Sequence, residues 1–143
     1  MKIVRSLCVS ALLVISGLGG AGCSPSGNGG GPIESRDWRV RAYVDSTGTM
    51  ADAFLTVPLS ARFENGTVKG GAGCSQFTAS YALSGGSLTI SDLSVGTEKC
   101  DSYATGGRDT YMAALPQAAT FKVDGKQLVV FGKEGNEILR LEE

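Results

Sequence analysis

Histidine is absent from the 143 residues. Its absence removes the Ser-His-Asp triad, the Cys-His pair, imidazole-ligated zinc and haem, and any imidazole pH switch. Excess charge is also lacking: 13 Lys and Arg face 14 Asp and Glu, a net of −1 with no basic run. A chain without a cationic footprint does not hold phosphate backbones, so nucleic acid is excluded as a partner. The length leaves room for one small domain, with or without a processed leader, and not for two catalytic domains. Paired-carboxylate and lysine mechanisms survive the loss of histidine, but no spacing recommends either. The chain is therefore expected to be no enzyme and to need no cofactor. What is abundant is glycine, 21 residues, about twice the usual ~7 %. That richness favours turns and linkers over long helices.

The N-terminus carries the clearest signal. Lys2 and Arg5 form a short cationic region, and an apolar run follows from Leu7 to Leu18. The run has the size of a secretory core segment and falls short of the ~20 residues of a spanning helix. Gly19-Gly20-Ala21-Gly22 then leads into Cys23. This resembles the lipobox of bacterial lipoproteins, in which the cysteine is acylated and becomes the first residue; Gly20 stands where an apolar residue is usual. Residues 1–22 are thus expected to be a signal peptide and Cys23 the site of lipidation with palmitate-like chains. The cysteine count supports this. Cys8 leaves with the leader, and a lipidated Cys23 leaves Cys74 and Cys100 as an even pair. Ordinary cleavage before a free Cys23 is the alternative. Two or three acyl chains hold a small domain firmly, at ~0.8 kcal/mol per buried methylene, where one is marginal. Ser24 after the cysteine points to the outer membrane, facing the periplasm. Residues 23–35 are rich in Gly, Ser and Pro and read as a flexible tether.

Residues 36–143 are the expected domain. Loss of Lys2 and Arg5 leaves 11 basic against 14 acidic residues, a balance near −3. Leu59, Ala61 and Phe63 alternate with polar neighbours, as do Phe77, Ala79, Tyr81 and Leu83. Asn65-Gly66, Gly85-Gly86, Asp124-Gly125 and Gly135-Asn136 separate such segments and read as antiparallel turns. One stretch, Arg108 to Leu115, has helix formers; it is expected to begin after Gly106-Gly107 and to stop at Pro116. The predicted class is α+β: a curled antiparallel sheet or open barrel with one short helix.

The order of signals is familiar. Trp38-Arg39-Val40 opens the domain; Pro58-Leu59 and Phe63 precede the Asn65-Gly66 turn. Gly70-Gly71-Ala72-Gly73-Cys74, Tyr81, Thr97-Glu98-Lys99-Cys100, a helix ending at Leu115 and a closing hairpin follow. This resembles the META domain family, of the HslJ heat-shock type, over nearly all of 38–141. The most specific motif residues are Trp38, Gly73, Cys74, Thr97 and Cys100; Ser75 stands where the family has Asn. The resemblance implies a small, often lipid-anchored envelope protein linked to stress resistance or secretion. It leaves the molecular activity open.

An exported chain places Cys74 and Cys100 in an oxidising compartment, where a structural disulfide is the favoured reading. Two buried free thiols, or a reactive or metal-binding pair, are the alternatives; the wide spacing and the lack of histidine oppose the latter. Trp38 and Tyr81 read as core before binding site, and Tyr43, Tyr103 and Tyr111 are not placed. The Gly70–Gly73 run lacks the Lys-Ser/Thr and the helix of a phosphate loop, so a close backbone approach is expected. Asn65-Gly66-Thr67 fits a glycosylation sequon but reads as the hairpin turn. Asp92, Glu98, Asp101 and Asp109 lack calcium-loop spacing and read as solvated charges. Two functions follow. One is a non-catalytic, lipid-anchored module that binds an envelope protein in stress tolerance or secretion. The other is a small-molecule or lipid carrier with an apolar cavity; Phe54, Phe63, Phe77, Phe121, Phe131 and Trp38 are expected to fill that space instead, a loop being the alternative place for Phe54.

Overall fold

The computed structural model describes residues 31–143. The signal segment 1–22, Cys23 and the tether up to residue 30 lie outside the described residues. Nine strands form in chain order: β1 (Asp37–Val44), β2 (Met50–Asp52), β3 (Ser60–Glu64), β4 (Thr67–Ala72), β5 (Ser75–Ser84), β6 (Ser87–Val95), β7 (Thr120–Asp124), β8 (Gln127–Phe131) and β9 (Glu137–Glu142). Every named strand pairs antiparallel to its neighbours. β1 pairs β3 along its first half and β9 on its other edge, so eight strands close into a barrel and β2 extends β1 beyond β3. The α+β class with an antiparallel barrel and one short helix is what forms, and the sheet curls through to closure. The seam is thinnest between β6 and β7, where Ser87 opposes Thr120 and two flanking backbone bonds, Leu88 N–H to Ala119 O and Phe121 N–H to Gly86 O, complete the join.

Period-2 alternation sets the interior. Leu59, Ala61 and Phe63 point inward, as do Phe77, Ala79 and Tyr81, and Leu128 and Val130 on β8. Asn65 and Gly66 sit at φ 51° and 78°, the paired left-handed geometry of a tight hairpin turn. Two strands depart from simple alternation. On β1, Val40 opposes Leu141 and Ala42 opposes Arg140, so Arg41 is an extra residue. That bulge turns Ala42, Tyr43 and Val44 all toward apolar surroundings and places Tyr43 in the core. On β6 an extra residue falls between Ser91 and Ser94, where Asp92 adopts φ 54°.

The helix α1 spans Ser102–Ala114, with a 3-10 turn, Leu115–Gln117, after it. It begins earlier than the glycine pair suggested. Asp101 is the reason: its carboxylate accepts the Ala104 N–H at 2.8 Å and caps the first turn. Gly107, at ~0.5–1 kcal/mol less favourable than Ala in a helix, is used for closeness. A methyl there would stand 3.3 Å from Val57 Cγ1. The helix thus presses Gly107, Tyr111, Met112 and Ala114 against the barrel.

Two expectations need correction. Phe54 is 55 % exposed in the loop after β2, and Phe131 is only half-buried, so neither fills the interior. Aliphatic Leu88, Leu128, Ile138, Leu139 and Leu141 supply that volume beside Trp38, Phe63, Phe77 and Tyr111. The domain also starts before residue 36. Ile33 is fully buried, Glu34 forms a bridge to Phe63, and Ser35 N–H donates to Phe63 O at 2.9 Å. The last residues of the assigned tether are therefore packed, because an apolar side chain found a place under Trp38.

Candidate functional site

The residues that bear on function fall into three groups, two of them singled out by the sequence. The first is the N-terminal latch. Trp38 is fully buried and its indole N–H donates to Ile33 O at 2.8 Å. The Arg36 guanidinium lies 4.3 Å from the indole centroid and donates to Gly125 O at 2.7 Å and to the Glu143 carboxylate. Trp38 is therefore a core residue and a clamp on the chain ends. Tyr81 packs edge-on against Phe63, ring centroids 5.1 Å apart, and donates its hydroxyl to Glu34. Burial, followed by that bond to a carboxylate, pushes the Tyr81 phenol up to about 12. The neutral phenol is the form the fold prefers. An unfolded tyrosine ionises near 10, so this contribution is whole below pH ~10 and is lost as pH rises from there through about 12. Alkaline unfolding followed by circular dichroism is expected to show that loss of stability, and Tyr81→Phe to flatten it. An unchanged alkaline limb in the variant would contradict the assignment.

The second group surrounds the β4–β5 turn. Gly70 permits two strands to touch: a methyl there would stand 2.0 Å from Ser60 O. That contact makes the glycine run a close approach and not a phosphate loop. Gly73 turns the chain at φ 72°, where a methyl would meet Ala104 O at 3.0 Å. Cys74 follows, its sulfur beside that of Cys100 and the two Cα atoms 5.7 Å apart, the separation of a disulfide pair. Glu98 O accepts the Arg108 Nη1–H at 3.2 Å, and Arg108 also pairs with Asp109 at 3.0 Å. A hydrogen bond from its own backbone N–H holds the Glu98 carboxyl below the ordinary carboxylate range, with Ser75 and Arg108 adding to it. Thr97 is exposed in this segment, and Ser75 is buried. Asp92 occupies its bulge, Asp101 caps the helix and Asp109 pairs with Arg108, so each acidic residue has a local structural setting. Among the described residues no three His, Cys, Asp or Glu side chains gather as a metal site. Tyr111 is fully buried in α1, edge-on to Phe77 at 5.6 Å, with its hydroxyl donating to Ser60 O at 3.0 Å.

The third group was not selected from the sequence. Phe54 and Leu55 are 55 % and 87 % exposed in the 53–59 loop, and Tyr103, at the start of α1, is 70 % exposed. The Phe54 and Tyr103 rings meet edge-on, centroids 5.9 Å apart. A depression of about 300 Å³ runs beside Phe54, Leu55 and Pro58 between Arg39 and Arg41. A second, of about 470 Å³, lies over the outer faces of β1, β3 and β4 and includes Arg39, Arg62, Lys69 and Gly71. The two share Arg39, Pro58 and Ser60. No local pattern could have announced this groove, because its walls come from three separate stretches, 37–41, 54–62 and 69–76.

Comparison with known proteins agrees with this architecture. The NMR structure of a protein from Burkholderia xenovorans is 19 % identical with a TM-score of 0.64, over 77 % of this chain and 82 % of that one. A second NMR structure is 17 % identical with a TM-score of 0.55, over 77 % and 90 %. At such identities the likeness concerns the fold alone. No curated protein matches the chain. The META domain profile matches residues 32–143, from the segment under Trp38 to the last residue, and the chain belongs to the META domain family.

Proposed function

We propose that this META-domain protein is a non-catalytic module of the bacterial envelope, cleaved after residue 22, acylated on Cys23 and held at the outer membrane, where it binds another envelope protein. The leader pattern and the tether composition support the anchor. Among the described residues no helix is long and apolar enough to cross a membrane. The observation that carries the binding role is the contrast between interior and surface. The barrel is filled by fully buried Trp38, Phe63, Phe77, Tyr111 and the leucines, while Phe54, Leu55 and Tyr103 stand outside. A carrier needs a hollow interior, whereas a recognition module needs apolar anchors at its surface. A role in stress tolerance or secretion rests on the family resemblance.

The intact mass of the membrane-extracted protein, before and after reduction, tests the address. The expected result is a chain beginning at Cys23 with added acyl mass, gaining two hydrogens on reduction. A retained leader would overturn the anchor. Recovery of one defined envelope protein from detergent-solubilised membranes tests the binding role; repeated recovery of the anchored domain alone would overturn it.

A further inference from the structure

We infer that the groove across the outer faces of β1, β3 and β4 receives an extended protein segment that carries both carboxylates and apolar side chains. This rests on the reading of the chain as a binding module and names the surface and the chemistry of its partner. Charge is the first argument. Arg41 is paired with Glu142 at 2.8 Å, and Arg62 with Asp37 and Glu64 at 3.0 and 3.4 Å. Arg39 and Lys69 line the groove and have no ion-pair partner among the described residues. Asp37, already engaged by Arg62, is the carboxylate along these walls. Glu142 faces Arg39 across the β1–β9 ladder but is engaged by Arg41, so Arg39 and Lys69 are the cations of this face left without an ion pair among the described residues. Exposed guanidinium and ammonium groups in a concave surface favour a carboxylate ligand.

Shape and polarity give the rest. The two depressions lie side by side with Arg39, Pro58 and Ser60 lining both, so the surface they form together is elongated, with Lys69 in one and Phe54 and Leu55 in the other. An extended segment repeats its side chains every ~6.4–6.8 Å along one face and can set acidic and apolar groups into both. A lipid surface fits less well. The described chain begins at the other end of the barrel: Arg36 reaches the Gly125 turn, and β1 runs from there toward β2 and the 53–59 loop.

The test uses the membrane-extracted full protein in detergent and fluorescent peptides of about ten residues, a length of ~33 Å when extended. One peptide alternates Glu and Leu, one alternates Lys and Leu, and vesicles containing phosphatidylglycerol form the third probe. The Glu-Leu peptide is expected to bind at least about tenfold tighter than the Lys-Leu peptide at low salt. The double variant R39E/K69E is expected to abolish that preference, and F54S/L55S to weaken binding about fivefold or more, both with thermal midpoints near the parent. Equal binding of the two peptides, or undiminished binding by R39E/K69E, would overturn the groove assignment. So would vesicle binding lost in R39E/K69E when neither peptide binds, since the occupant would then be lipid. An envelope partner still recovered with R39E/K69E leaves the anchored module standing and removes only the groove. An unacylated chain that binds the Glu-Leu peptide does the reverse.

Discussion

Trp38→Ala is expected to remove about 3–5 kcal/mol of stability. A domain of this size has roughly 5–15 kcal/mol in total, so the variant should be marginal, with a thermal midpoint ~15–30 °C lower. Three losses combine. The indole is the largest fully buried side chain, and its removal leaves a cavity at the start of β1. Its N–H no longer satisfies Ile33 O, and the Arg36 guanidinium loses the ring it covers. Ile33 is itself fully buried beneath it, so residues 31–36 are released together. Trp38→Phe keeps most of the apolar volume and forfeits the hydrogen bond, and it should cost less, about 1–3 kcal/mol. Melting by circular dichroism, with amide exchange over residues 31–44, checks both. A midpoint for Trp38→Ala within a few degrees of the parent would mean that the latch does not hold the barrel.

Local chemistry was legible wherever it was repeated along the chain. Leu59-Ala61-Phe63 and Phe77-Ala79-Tyr81 gave their faces by alternation, and Asn65-Gly66 gave its turn by the φ values those residues tolerate. The β1–β2 hairpin was missed because its signal is a side chain: Asp45 accepts the Thr47 and Thr49 N–H groups at 2.8 and 3.0 Å. The helix start was misplaced because Gly106 and Gly107 were read by propensity. The Asp101 cap and the tight seat of Gly107 against Val57 depend on tertiary contact. Closure of the sheet follows from β1 pairing with β9 across about a hundred residues of chain, and no short window records that. The groove had the same cause. Arg39, Pro58, Arg62 and Lys69 become neighbours only when three strands align. Composition alone does not separate a buried aromatic such as Phe63 from Phe54, which is displayed on a loop.

Opening the Cys74–Cys100 bond should be the other large loss. The cysteines are 26 residues apart, and a loop of that size is worth roughly 3–3.5 kcal/mol on the chain-entropy account. Reduction, or the double substitution Cys74→Ser with Cys100→Ser, is expected to lower the thermal midpoint by ~12–25 °C. The loss should not be spread evenly. The bond ties the β4–β5 turn to the segment that enters α1, where Asp101 caps the helix and Arg108 holds Glu98 O. Residues 96–108 should therefore exchange their amides faster, while β1, β8 and β9, paired to one another at a distance from the bond, keep more of their protection. Calorimetry with and without reductant, joined to exchange mass spectrometry, reads both outcomes. Cys74 is exposed, so the single variant Cys100→Ser adds a sensitive control, with an accessible thiol expected to form intermolecular dimers under oxidation. An unchanged midpoint and uniform exchange after reduction would mean that packing at Gly73, Ala104 and Tyr111 alone fixes this corner. The stability of the domain would then be indifferent to the redox state of its compartment, and its cysteines would give no support to an extracytoplasmic address.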